Sequence, residues 1–151
     1  MARRGKLNEK QSKDAIERPA GDRKYTYHIL IACEDENTET EYFKEYKDLF
    51  EAIWPKETLF LKPIGTGRNS LGVVQQAIEE RSKLETNDKT TIDQTWAVFD
   101  KDDLDKSEGN IERFNEAFDL GKEEEVKIAY SNECFELWLL LHFEKEDPKK
   151  A

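Results

Sequence analysis

The chain has no long apolar run. A membrane-spanning helix needs about 18 or more predominantly apolar residues in succession, and stretches such as Leu137-Trp138-Leu139-Leu140-Leu141 fall well short of that. No spanning segment is expected. A secretory leader is not expected either, because the basic start Met1-Ala2-Arg3-Arg4-Gly5-Lys6 is followed by no apolar stretch. Cysteine is scarce. Cys33 and Cys134 are far apart, which is neither a zinc spacing nor a disulfide framework. Reduced, buried thiols of a cytoplasmic protein are the expectation. Internal repeats are lacking. Positive charge is also short. The net charge is −10, and residues 1–24 carry eight Lys/Arg against four Asp/Glu while the remainder carries sixteen against thirty. An acidic body repels polyanions at long range, which argues against simple electrostatic binding of DNA. It leaves room for an enzyme whose acidic site is neutralised by metal.

At 151 residues the chain makes one domain with a core large enough to fold unaided. Residues 1–24 have little apolar content and include Pro19 and Gly21, so a disordered basic tail is expected there, with an α/β domain over 25–151. Tyr25 to Cys33 reads as a strand covered on both faces. Thr38-Glu39-Thr40-Glu41 has capping-box spacing, and Tyr42, Phe43, Tyr46, Leu49, Phe50 and Ile53 follow at helical intervals up to Trp54-Pro55. Glu36 and Glu39 read as first-turn charges suited to a helix N-terminus. Leu59 to Ile64 is a second strand, Gly65 to Ser70 a turn, and Leu71 to Leu84 a helix. A polar loop covers 85–93. Thr95 to Phe99 is a third strand. Ile111, Phe114, Ala117 and Phe118 mark a helix with Gly121 as its C-terminal cap, and Val126 to Tyr130 is a fourth strand. Phe135 to Phe143 is apolar nearly all round and reads as a buried helix. Strands alternating with helices four times predict a mainly parallel sheet with helices on both faces. The chain stops soon after that last helix, so a natural C-terminal segment beyond it stays open.

Two acidic clusters carry the chemistry. Ile29 to Ala32 and Cys33 run into Glu34-Asp35-Glu36, and Trp96 to Phe99 run into Asp100-Lys101-Asp102-Asp103. In a parallel sheet, ligands bind at the carboxyl ends of strands. Carboxylates gathered there repel one another unless solvated, protonated or bridged by a cation. Hard oxygen donors of this kind suit Mg²⁺ or Mn²⁺. Asp100 and Asp102 stand two apart, which puts both on one side of a strand. Glu34 is read as metal ligand or general base. Asp103 and Asp105 are read as solvated loop charges. Glu136 either points outward near a helix start or is a buried carboxylate that needs a partner or a metal. His142 is read as a proton donor, a supporting group or a core residue. Gly65-Thr66-Gly67-Arg68 either cradles a phosphate or is an ordinary turn, and lacks the Lys-Ser/Thr of a P-loop. Arg68, with Lys101 and His142, is a candidate for substrate contact.

Three segments resemble the RloB-like family, which is associated with restriction loci and abortive phage infection. They are Ile31-Ala32-Cys33-Glu34-Asp35-Glu36-Asn37-Thr38-Glu39, Phe99-Asp100-Lys101-Asp102-Asp103 and Ser131-Asn132-Glu133-Cys134-Phe135-Glu136-Leu137-Trp138-Leu139-Leu140-Leu141-His142-Phe143. Asp35 stands where the family pattern has Gly, and Glu133 where it has Pro. The resemblance implies a Toprim-like fold related to the OLD-family nucleases. It implies acid/base chemistry at Glu34, Mg²⁺ at Asp100 and Asp102, and a second ion at Glu136. It also implies nucleic acid as substrate and an OLD/AAA-type ATPase partner encoded nearby. The leading expectation is a metal-dependent nuclease of phage defence. A non-catalytic binding or sensing subunit and a nucleotide or small-phosphate hydrolase are the alternatives. DNA versus RNA and assembly into a homo-oligomer stay open.

Overall fold

A computed structural model describes residues 27–54, 59–101, 109–132 and 134–143. Strands β1 (Tyr27–Cys33), β2 (Leu59–Gly65), β3 (Gln94–Lys101) and β4 (Val126–Asn132) alternate with helices α1 (Thr38–Ile53), α2 (Ser70–Asn87), α3 (Asn110–Glu123) and α4 (Phe135–Leu140). The sheet has the order β2-β1-β3-β4 and every pairing is parallel. The architecture is α/β, a four-stranded parallel sheet flanked by helices, consistent with a Toprim-like fold. The predicted tail at 1–24, the first two residues of the predicted first strand, and Asp102, Asp103 and Asp105 lie outside the described residues.

Alternation along the strands sorts the core onto two faces. Ala32, Ala97, Phe99 and Val126 pack with Val73, Val74 and Ala77 of α2 and Ala117 of α3. On the other face Ile31, Cys33, Leu61 and Val98 meet Tyr42 and Phe43 of α1 and Phe135 of α4. Phe99 is fully buried and meets Phe114 and Phe118 edge-on at 5.9 and 6.3 Å. The layers follow from handedness. The chain leaves β1 for β2 in one direction, then crosses β1 to reach β3 in the other. Right-handed crossovers therefore put α1 on one face and α2 and α3 on the opposite one. The order of strand addition reverses between β1 and β3, and the crevice at their carboxyl ends is where such sheets take ligands. Pro63, which has no N–H to give a ladder, sits on the edge strand β2.

Several boundaries differ from the sequence reading. Thr38 does not cap its helix. The side chain of Asp35 instead accepts the backbone N–H groups of Asn37 and Thr38 at 3.1 and 2.9 Å. A carboxylate holds such donors more strongly than a hydroxyl. These bonds, Thr38's first, keep the Asp35 carboxyl below its usual range. Helix α1 ends at Ile53, and Trp54, which precedes Pro55, is extended at φ −106°, ψ 152°. Gly121 is inside α3 and caps nothing. A Cβ there would lie 2.8 Å from Ile128 Cδ1 and 3.0 Å from the Val126 carbonyl, so it is a close-contact glycine under β4. Helix α2 continues to Asn87, and β3 and β4 run two residues past their predicted ends, to Lys101 and Asn132.

The last helix departs furthest. It spans Phe135–Leu140, and of its residues only Phe135 is buried. Trp138 is 51% exposed and Phe143 88%. Among the described residues, α1 and the sheet cover only its Phe135 and Leu139 side. Both cysteines are free, but Cys134 is exposed where a buried thiol was expected. Among the described residues, no helix is long and apolar enough to cross a membrane.

Candidate functional site

Glu34 is the first residue beyond β1. Its backbone N–H continues the ladder by donating to the Val98 carbonyl at 2.9 Å. Its carboxylate Oε2 accepts the backbone N–H of Asp100 at 2.8 Å. The two acidic clusters, 66 positions apart in sequence, therefore meet at the reversal point between β1 and β3. Asp100 follows Val98 by two along β3, which places its side chain on the face covered by α1 and α4. Lys101 has the opposite parity and belongs to the α2/α3 face.

A residue read from the sequence only as a first-turn helix charge joins them. Glu39, in the first turn of α1, is only 3% exposed, and its buried Oε2 has no hydrogen-bond partner among the described residues. Burial raises its pKa first, and the neighbouring charges of Asp100, Asp35 and Glu136 raise it further. A first-turn glutamate is ordinarily a solvated charge. This one is drawn inward because it precedes Phe43 by one helical turn, and Phe43 packs on the sheet. That i, i+4 relation to the apolar stripe was the available signal. Glu136, at the start of α4, is exposed, yet near enough to act on Glu39.

The segment carrying Glu34 is held closely. Thr66 N–H donates to the Cys33 carbonyl at 2.9 Å and Gly67 N–H to the Glu34 carbonyl at 2.8 Å. Arg68 N–H donates to Thr66 Oγ1 at 3.3 Å, and Gly72 N–H to the Asn69 side chain at 3.0 Å. These amides are committed within the fold, so the Gly65–Arg68 turn is a strand-to-helix connection that fastens β1. Arg68 is exposed on the α2 side, where its charge acts on Glu79. Cys33, beneath the turn, is fully buried, and burial pushes its thiol up to about 12. It is not a nucleophile.

His142 belongs to a second assembly beside the carboxylates. Its Nδ1 lies 2.8 Å from the Trp138 carbonyl, which can only accept, so that nitrogen carries the proton. Its Nε2 lies 3.5 Å from the Tyr42 hydroxyl, and Trp138 Nε1–H donates to the same hydroxyl at 3.3 Å. Tyr42 and Trp138 wall one side of a groove of about 460 Å³ between α1, β4 and α4, with Phe43, Val98, Ala129, Phe135 and Leu141 among its lining residues.

The profile of a family described as RloB-like protein matches residues 29–151. The chain belongs to the RloB-like family. No curated protein and no solved structure matches it. The RloB-like match takes in all four strands apart from Tyr27 and His28, and with them both carboxylate segments and the aromatic groove.

The donor chemistry of this RloB-like site suits a hard divalent cation. Carboxylates converge at a strand-end crevice, and a buried glutamate oxygen has no hydrogen-bond partner among the described residues. Among the described residues, no three Asp, Glu, His or Cys side chains form a ligand set. Asp102, two beyond Asp100, lies outside those residues.

Proposed function

We propose that this RloB-like protein is a metal-dependent phosphodiesterase that cuts nucleic acid in phage defence, together with an ATPase partner. The observation that carries the reading is the bond from the Asp100 amide to the Glu34 carboxylate, which joins two acidic strand ends at the crevice of a parallel sheet. The phage-defence setting, the partner and the nucleic-acid substrate come from the family resemblance. Glu34, Asp100 and Asp102 would hold Mg²⁺ or Mn²⁺, with Glu136 and the buried Glu39 as further donors. When bound, the ion supplies positive charge against the scissile phosphate and its leaving oxygen. Glu34 takes a proton from the attacking water, and the Asp100 amide keeps the Glu34 carboxylate oriented for that transfer. Asp35 and the Thr66–Gly67 turn fix the backbone on either side.

The test is cleavage of labelled single-stranded and duplex DNA and RNA by the full chain, with Mg²⁺, Mn²⁺ or EDTA, and with and without the partner ATPase. Metal-dependent cleavage that Asp100→Asn abolishes, in a variant with unchanged circular dichroism, is the expected result. Hydrolysis of mononucleotides alone would identify a small-phosphate hydrolase. A second reading, a binding or sensing subunit, draws support from the acidic surplus outside the first 24 residues. No turnover on any substrate, with partner present, would establish that reading instead.

A further inference from the structure

The groove beside the carboxylates is apolar, yet it does not belong to the closed core. Trp138 is 51% exposed and Leu141 45%. Its rings are held in place before anything enters: the Trp138 indole by its bond to Tyr42 and by edge contact with His142 at 5.1 Å, and Tyr42 by edge contact with Phe135 at 5.5 Å. Fixed rings lose little freedom when a flat group slides against them. The floor of the groove and the carboxylate site share one face of β3. Val98 lines the groove, and Asp100 lies two residues further along β3 on the same face, about 6.6 Å away at the usual strand rise. Ser131, the register partner of Asp100, and Asn132 bring hydrogen-bonding groups to the same end.

We infer that this groove is a nucleobase subsite, which seats one unpaired base against Trp138 and Tyr42 and so delivers the adjoining phosphodiester to the Glu34/Asp100 end. The substrate class is then single-stranded or locally unpaired nucleic acid. A paired base has its faces covered by neighbours, and only an unstacked base offers a face to aromatic side chains. Stacking on an uncharged base adds affinity that does not itself depend on a basic groove. The inference rests on the phosphodiesterase reading for its direction, and its binding step is separable from catalysis.

The test is fluorescence anisotropy with a labelled, phosphorothioate-linked oligothymidine that resists cleavage, as a single strand and as a duplex with oligoadenylate, in Mg²⁺ with the full chain. Cleavage of the unmodified strand is measured alongside. The single strand is expected to bind more tightly than the duplex. Trp138→Ala should weaken it about 5- to 150-fold, the range that stacking one base on one ring carries. Trp138→Phe should recover most of that loss, and Trp54→Ala, at the far end of α1, should change nothing. Equal binding of strand and duplex, unchanged affinity in Trp138→Ala, or no binding of either nucleic acid would overturn the inference; the last outcome would leave the groove to a protein segment. Cleavage that persists with unchanged affinity in Trp138→Ala removes the subsite and keeps the phosphodiesterase. Binding that depends on Trp138, without metal-dependent cleavage by the wild type, does the reverse.

Discussion

Replacing Gly65 by alanine should damage the site through a single methyl group. A Cβ at Gly65 would lie 2.6 Å from the Cα of Glu36, 2.9 Å from Thr40 Oγ1 and 3.2 Å from the Asp35 carbonyl. Carbon atoms in contact prefer about 3.5–4.0 Å, so the nearest pair must part by roughly an ångström. The obstructing atom is backbone and cannot swing aside. Gly65 is also fixed from behind, as the last residue of the β1–β2 ladder opposite Cys33. Overpacking of this kind costs about 1–3 kcal/mol, which for a chain of this size lowers the melting temperature by about 2–12 °C. The segment that gives way is Glu34–Glu36. A displacement of about 1 Å at a reacting group can cost a factor of about 100 in rate, so metal affinity and cleavage should fall further than stability does. Gly72→Ala is the control. Its Cβ would meet Arg68 Cβ and Cδ at 2.8 and 3.2 Å and Asn69 Oδ1 at 3.3 Å, so it too crowds its neighbours, but none of them belongs to Glu34–Glu36 and metal binding should hold. Thermal unfolding and calorimetric Mg²⁺ titration of both variants decide the matter. A Gly65→Ala protein with wild-type melting temperature and wild-type metal binding would refute the claim that this glycine sets the position of Glu34.

Two further outcomes follow from the core and the buried acid. Phe99→Ala, which empties a fully buried ring site between Phe114 and Phe118, should lose about 3–5 kcal/mol in urea unfolding; a loss below 1 kcal/mol would mean the cluster is not the core of that face. Glu39→Gln should stabilise the metal-free protein near neutral pH. Burial raises the pKa of Glu39 above its unfolded value, so wild-type stability is complete below the unfolded pKa and declines as pH rises through the folded one, while the glutamine variant shows no such decline. Melting curves in EDTA from pH 4 to 8 would show the gap open with pH, and parallel curves would sink the argument.

Much of the fold was legible because it follows from strand-length apolar runs stopped by turns and from helical intervals such as Leu71, Val74 and Ile78. The pairing of Glu34 with Asp100 was legible only as proximity, since both end strands of one parallel sheet. That the strands are adjacent depends on the order β2-β1-β3-β4, and no local signal encodes it. Glu39 was missed because a charge in a first helical turn has an ordinary solvated explanation, and its register with Phe43 was not weighed. Helix α4 was misjudged for the opposite reason. An apolar circumference normally signals burial, but here the apolar residues face a groove. Gly121 was taken for a cap because a glycine near a helix end commonly is one, whereas here it makes room for Ile128 and the Val126 carbonyl.

Calorimetric titration of Mg²⁺ and Mn²⁺ into the full chain and into Asp100→Ala tests the central claim most directly. The account predicts saturable binding by the wild type that the substitution removes while the melting curve stays cooperative. No binding by the wild type, or equal binding by both, would contradict a metal site at the meeting point of β1 and β3.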